Sequence, residues 1–94
     1  MSVLAMATSQ AKPDGMEALV EAALDHAKAL QRQPGCQGTY VLRDPASNTQ
    51  VSVSIFEDEG ALKRALQATR PVIAKHDIER LVESPPRFQV FNVC

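Results

Sequence analysis

The sequence predicts an α+β fold in which one four-stranded antiparallel sheet carries helices on one face. Three observations predict it: two segments have apolar residues at helical spacing, short β-rich runs flank and separate them, and turn-forming residues divide the runs. The resulting order is β-α-β-β-α-β, the split βαβ or ferredoxin-like arrangement. With 94 residues, we expect a single domain over residues 1–94.

The first half of the chain gives a strand, a helix and a second strand. Residues 2–10, SVLAMATSQ, are apolar at both alternations, which is typical of a strand buried on both faces. Asp14 and Glu17 form a capping-box-like pair that predicts a helix start. The apolar stripe of this helix contains Met16, Leu19, Val20, Ala23, Ala27 and Leu30. Pro34–Gly35 ends the helix and turns the chain into a second strand at about 37–43.

The second half begins with a hairpin and ends with a helix and a strand. A polar turn at residues 44–49 leads into a third strand. In that strand, one face is expected to carry Val51, Val53 and Ile55, and the other face Ser52, Ser54 and Phe56. Asp58 is expected to cap a second helix, which Pro71 interrupts. The apolar residues beyond Pro71 predict a broken helix or a second short helix up to Ser84. Residues 87–93, RFQVFNV, predict the last strand.

Helices cover only one face of such a sheet, yet the first and last strands are apolar on both faces. The last strand, for example, places Phe88 on one side and Phe91 on the other. Because a large exposed apolar face marks an interface, we expect a second copy of the sheet to cover it and form a homodimer. Ser52 and Ser54 are expected on that uncovered face, where they would need hydrogen-bonding partners.

Composition argues against two classes of partner. The net charge is −1, with acidic and basic residues mixed along the chain, so neither nucleic acid nor an anionic membrane is expected to bind. No apolar run approaches membrane-spanning length, and MSVLAMATSQAK at the N-terminus lacks the features of a signal peptide. We expect a cytoplasmic protein in which Cys36 and Cys94 are reduced thiols, with a bond between them left open.

Three segments resemble the antibiotic biosynthesis monooxygenase-like dimeric α+β barrels, and together they span most of the chain. They are PGCQGTYVLRDP (34–45), VSVSIFEDEGAL (51–62) and SPPRFQVFNV (84–93). The resemblance implies the same dimeric fold with a pocket between the helices and the sheet. Members of this family oxidise dihydroxyaromatic substrates to quinones without a cofactor, bind and degrade haem, or isomerise small signalling molecules, and many have no known activity. One fold therefore implies several chemistries.

The resemblance also implies roles for particular residues. It predicts a monooxygenase that needs no cofactor and acts on a small phenol or quinol. PVIAKH, residues 71–76, is similar to the stretch that carries the haem-ligating histidine in the haem-degrading members, so His76 falls on that position. We expect His76 to be the catalytic base, with Tyr40 or Asn92 donating to the developing oxyanion. The expected substrate pocket consists of Phe56, Met6, Leu19, Ala23 and Ile73.

Departures from the family keep other functions open. The chain has no Trp, and Phe56 stands where the family usually has one at the end of the third strand. The asparagine that haem-degrading members carry in the first strand has no counterpart at residues 7–9. The alternatives are haem or small-ligand binding without turnover, with His76 as the iron ligand, or a non-catalytic dimeric module. No other metal site is expected, and His26 is expected at the edge of the apolar stripe rather than in the pocket.

Overall fold

The computed structural model describes all residues, Met1–Cys94, and contains one four-stranded antiparallel sheet. Its strands are β1 (Val3–Gln10), β2 (Cys36–Asp44), β3 (Thr49–Phe56) and β4 (Arg87–Asn92). The helices are α1 (Met16–Gln31) and α2 (Glu59–Ala74), followed by a short 3-10 helix at Ile78–Arg80. The strand order is β2-β3-β1-β4, so the predicted ferredoxin-like βαββαβ arrangement is confirmed. Neither helix has both the length and the apolar character needed to cross a bilayer.

The start of α1 differs from the prediction, whereas its end agrees with it. Gly15 is the N-cap residue and no side chain caps the helix, so the predicted pair of Asp14 and Glu17 does not form. Glycine is needed there because a Cβ atom would lie 2.7 Å from the backbone oxygen of Leu81. After α1, Gly35 adopts a φ of 86°, which favours glycine and turns the chain into β2 as expected.

The start of α2 is capped as predicted. The Oδ1 atom of Asp58 accepts a hydrogen bond from the backbone N–H of Ala61 at 2.8 Å. The hairpin before it is also confirmed, since β2 and β3 pair directly across the turn. In that turn the carboxylate of Asp44 accepts hydrogen bonds from the backbone N–H of Ala46 and the hydroxyl of Ser47, at 3.0 and 2.9 Å.

The prediction that Pro71 breaks the second helix is wrong. The helix runs through Pro71 and ends at Ala74. The missing N–H of proline leaves the carbonyl of Gln67 without its helical partner, but both residues are exposed, so water can satisfy that oxygen. The chain then leaves the helical direction at Asp77, whose φ is 50°. In place of a broken or second short helix up to Ser84, the structure has the short 3-10 helix at Ile78–Arg80 and an irregular segment.

Strands β1 and β3 show which face of the sheet the helices cover. Their register pairs Val3 with Phe56, and Phe56 is fully buried against α2. Because residues two apart share a face, Ser54 and Ser52 must face the helices as well. The prediction that placed both serines on the uncovered face is therefore wrong. That face instead carries the other alternation, which comprises Leu4, Met6, Tyr40, Leu42, Val51, Val53, Ile55 and Phe91.

The main core fills only one end of the space between helices and sheet. We call this part the filled end; it contains Val3, Ala5, Leu30, Phe56, Ala61, Leu62 and Ala65. A smaller core of Ala11, Leu19 and Val82 lies apart from it. Strand β4 pairs with β1 but lies beyond the helices, so Phe88 and Val90 remain 53% and 44% exposed on the helix side. The part of the interface between the two cores is left to form a cleft.

Candidate functional site

A cleft opens between the helices and the sheet, beyond the filled end. It consists of a main chamber of about 720 Å³ and an adjoining narrow chamber of about 60 Å³. The chambers lie side by side and share six wall residues: Ala7, Ala23, His26, Ser52, Leu66 and Phe88. We call this part of the interface the open end. A chamber of this size is in the range that holds small organic ligands.

The floor of the cleft is polar. Ser9 and Gln50 form a cross-strand pair on the helix side of the sheet, and both are at least 95% buried. The Nε2 atom of Gln50 donates to the hydroxyl of Ser52 at 3.0 Å. The Ser9 hydroxyl and the side-chain oxygen of Gln50 have no hydrogen-bond partner in the protein. Because every fully buried polar side-chain atom does have such a partner, these two atoms must be accessible to solvent. Since both residues line the main chamber, these atoms open into it.

The opposite wall is apolar and comes from both helices. Helix α1 contributes Leu19 and Ala23, and α2 contributes Leu66 and Ile73. Phe88 closes one side from β4. A ligand with one apolar side and hydroxyl or carbonyl groups along the other would match this division between wall and floor.

The mouth of the cleft is formed by the segment between α2 and β4. Two backbone hydrogen bonds hold this segment to the chain after β1: Lys12 N–H donates to the Leu81 oxygen, and Glu83 N–H donates to the Gln10 oxygen, both at 2.8 Å. Val82, between them, is buried in the smaller core. Charged side chains border the mouth, namely Lys12, Glu79 and Glu83.

His26 is the one titratable ring that borders both chambers. Its Nε2 atom lies 2.9 Å from the hydroxyl oxygen of Thr69 on α2. Burial lowers the pKa of His26 from its usual 6.5, and the charge of neighbouring Asp25 opposes this effect only partly. The ring is therefore neutral at pH 7. Its Nδ1 atom has no protein partner and is not sealed, so it remains available to a ligand.

His76, the expected catalytic base, lies outside the cleft. Its Nε2 atom is 2.7 Å from Oδ2 of Asp25, and Lys75 Nζ reaches the same oxygen at 3.1 Å. Hydrogen bonds from His76 and then Lys75 lower the pKa of Asp25 below its usual value. These contacts join the C-terminal end of α2 to the middle of α1, and His76 borders neither chamber.

The other expected site residues are divided among three places. Leu19, Ala23 and Ile73 line the main chamber. Phe56 belongs to the filled end, where it is completely buried. By their register, the Met6 and Tyr40 side chains point to the uncovered face, although Tyr40 also contributes to the lining of the narrow chamber. Asn92 is exposed at the end of β4.

The structure places His26 in the cleft, not at the edge of the apolar stripe as predicted. The signal was present in the helical spacing, since His26 follows Ala23 by three residues and precedes Leu30 by four. Both neighbours face the sheet, so a residue between them at these steps faces it too. The spacing could therefore have placed the ring in the helix–sheet interface.

The residues present do not fit a metal ion or a haem held through His76. No three His, Cys, Asp or Glu side chains converge on a point where a metal ion would be held. Cys36 and Cys94 are both free thiols. A haem in the cleft could not take His76 as its axial ligand, because that ring lies outside the cleft with Nε2 bound to Asp25.

Comparison with known proteins relates the chain to one sequence family and to several solved structures of the same fold. Its sequence matches the antibiotic biosynthesis monooxygenase family over residues 2–71. No curated protein matches it by sequence. Rv0793 from Mycobacterium tuberculosis superposes with a TM-score of 0.87 at 16% identity, covering 100% of this chain and 96% of the other. PA3566 from Pseudomonas aeruginosa gives 0.83 at 18% identity, covering 99% and 94%. SnoaB, a cofactor-independent oxygenase from Streptomyces nogalater, gives 0.80 at 21%, covering 99% and 93%.

Proposed function

Because the chain belongs to the antibiotic biosynthesis monooxygenase family, we propose that it oxygenates a small phenol or quinol in the cleft without a cofactor. The observation that carries this proposal is the ring of His26, anchored on Thr69 and bordering both chambers. The likeness to SnoaB, described as a cofactor-independent oxygenase, supports the choice of reaction class. Family membership alone would not select it, because one fold hosts several chemistries.

The reaction needs one proton acceptor and a dry site. Nδ1 of His26 takes the proton of the substrate hydroxyl, and the resulting phenolate gives one electron to O₂. The two radicals combine, forming a C–O bond at a ring carbon that carries hydrogen. That carbon then loses its proton while the O–O bond breaks, and the proton held on His26 goes to the departing oxygen, which gives a quinone and one water. One oxygen atom enters the product and the other leaves as water, so the four electrons that O₂ accepts come from the substrate.

The walls and floor of the cleft supply the rest of the chemistry. Leu19, Leu66 and Ile73 exclude water from the ring of the substrate. On the floor, the Ser52 hydroxyl accepts from Gln50 and keeps its own hydrogen free to donate to the developing oxyanion. The proposal thus assigns the base to His26 in place of His76, and the donor to Ser52 in place of Tyr40 or Asn92.

The test is oxygen uptake and quinone formation over a panel of phenols and quinols. His26→Gln keeps a donor for Thr69 but has no nitrogen that accepts a proton. We expect it to lose activity by about 100-fold or more, the usual contribution of a general base. His76→Gln is the matched control, because it alters a histidine outside the cleft, and its rate should stay near that of the wild type.

Two results would contradict the proposal. One is an active His26→Gln protein beside an inactive His76→Gln protein, which would return the base to His76. The other is a wild-type protein that binds quinols of the panel but consumes no oxygen with any of them. That result would favour ligand binding without turnover.

The proposal includes a homodimer and a cytoplasmic location. The uncovered face of the sheet exposes large side chains, with Tyr40, Leu42 and Phe91 at 56%, 52% and 44%. A second copy of this face would cover them. A monomer by light scattering at micromolar concentration would contradict this assembly.

A further inference from the structure

The hydroxyl of Thr69 makes two close contacts although it has only one hydrogen. The side chain is buried, with 1% of its surface exposed. Its Oγ1 atom lies 2.8 Å from the backbone oxygen of Ala65, one turn earlier in α2. The same atom lies 2.9 Å from Nε2 of His26 on α1. Both distances are those of hydrogen bonds, so each contact needs its own hydrogen.

Only one assignment of the hydrogens satisfies both contacts. A backbone carbonyl cannot donate, so the Thr69 hydroxyl must give its hydrogen to the Ala65 oxygen. The hydrogen between Thr69 and His26 must then come from Nε2 of the ring. In a neutral imidazole, a proton on Nε2 leaves Nδ1 as the acceptor. The burial of the ring favours this neutral form.

We propose that Thr69 fixes the tautomer of His26, so that the cleft presents a hydrogen-bond acceptor at Nδ1 and selects ligands that carry a hydroxyl donor. This inference rests on the proposed function, because it concerns the ligand of the same cleft. Thr69 acts as a positioning residue: it borders neither chamber and reaches the ligand only through the ring. The favoured ligands are phenols and quinols, and the disfavoured ones are their ethers and the quinones.

The charged groups near the ring do not supply a competing donor to Nδ1. Asp25, the adjacent residue on α1, is an acceptor and is bound to Lys75 and His76. Among the charged residues of the mouth, Lys12 alone is a donor, and it contacts no histidine. The donor for Nδ1 must therefore come from the ligand or from water.

The same arrangement favours release of product. A phenol meets Nδ1 with its hydroxyl, whereas the quinone formed from it by oxygenation has two carbonyl oxygens and no hydroxyl. A carbonyl facing the Nδ1 lone pair leaves both acceptors without a hydrogen, which weakens binding. We therefore expect the cleft to hold a phenol more tightly than the quinone formed from it.

The first experiment reads the tautomer directly and needs no turnover. Nitrogen NMR of the imidazole rings in the full chain should show the proton of His26 on Nε2. Thr69→Val, which matches threonine in shape but lacks the hydroxyl, should shift the ring toward a mixture of tautomers, and Thr69→Ser should restore the Nε2–H form. Thr69→Ala serves the same purpose if the valine variant does not fold. A wild-type ring protonated on Nδ1, or a tautomer that none of these variants changes, would overturn the inference.

The second experiment measures selectivity without oxygen. Binding of naphthohydroquinone and of its dimethyl ether is compared by titration of the full chain. Loss of one hydrogen bond to a buried acceptor predicts roughly 5- to 150-fold weaker binding of the ether. The ratio should fall toward one in Thr69→Val and return in Thr69→Ser. Equal affinities in the wild type would overturn the inference.

The two proposals fail in different ways. A protein that shows the Nε2–H tautomer and prefers the quinol, yet consumes no oxygen, contradicts only the proposed reaction. A protein that oxidises quinols through His26 while its tautomer is the same in Thr69→Val contradicts only the role of Thr69.

Discussion

The filled end and the open end of the helix–sheet interface are built from the same two strands but contain different side chains. At the filled end β1 and β3 pair Val3 with Phe56, and at the open end they pair Ser9 with Gln50. The backbone register is continuous between these pairs. The difference shows that alternation decides which face a residue occupies, whereas the size and polarity of the side chain decide whether that face becomes core or cleft.

Each helix is divided along its length in the same way. Helix α2 places Leu62 in the filled end and Ile73 in the cleft. On α1, Ala23 borders the main chamber, whereas Leu30 lies where the filled end meets the narrow chamber. Because neither helix belongs wholly to one end, stability and ligand binding depend on different residues of the same elements. Paired substitutions can separate the two contributions.

The largest expected effect comes from removing the principal side chain of the filled end. Phe56→Ala should lower the free energy of unfolding by about 3–5 kcal/mol, because it leaves a cavity in a packed core. Phe88→Ala, on the wall of the cleft and 53% exposed, should change it by about 0.5 kcal/mol or less. Urea denaturation of both variants measures the difference, and equal losses would remove the distinction between the two ends.

A smaller effect separates two adjacent alanines of α1. Ala22 is fully buried, so Ala22→Leu should destabilise the fold by about 1–3 kcal/mol through overpacking. Ala23 borders both chambers, so Ala23→Leu should enter empty space, with little change in stability and a loss of quinol binding. Thermal unfolding and ligand titration of the same two proteins check this. Retained binding in Ala23→Leu would show that the ligand lies elsewhere.

The smallest expected effect is the pH dependence that His26 adds at the open end. Its pKa is lowered by burial, so below pH 6.5 the unfolded chain takes up a proton that the folded chain resists. Stability is therefore complete above that pH and declines as the pH falls through the lowered pKa. Unfolding measured from about pH 7 to about pH 5 should show this decline in the wild type and a weaker one in His26→Gln. The lowered pKa of Asp25 changes the free energy of unfolding only below pH 3.8, which is outside this pH range. Equal slopes in the two proteins would contradict a buried neutral ring.

The order of elements could be predicted because its signals are local. The cap at Asp58, the turn at Gly35 and the alternation of β3 each depend on neighbouring residues. Which face of β3 the helices cover was harder to predict. Both alternations of that strand contain apolar residues. The core buries the aromatic side chain of Phe56, and Ser54, two positions away, must then lie on the same face.

The candidate site was harder to predict than the fold. The resemblance predicted His76 as the catalytic base. Its hydrogen-bond partner, Asp25, lies 51 positions away in the sequence. The tether between His26 and Thr69 spans 43 positions and joins two helices, so no local pattern reveals it. The cleft itself is volume that the packed side chains leave unfilled. That volume depends on how distant residues pack together, which no local sequence pattern shows.

The mouth of the cleft has a consequence for amide hydrogen exchange. The segment that forms it is held by hydrogen bonds from the N–H groups of Lys12 and Glu83 and by the buried side chain of Val82, beside which Ile78 and Leu81 pack. Such a small attachment can open locally, at a free energy below that of global unfolding. A ligand that touches both this segment and the floor closes that route, so the protection of these two amides would follow occupancy of the cleft whatever the ligand becomes.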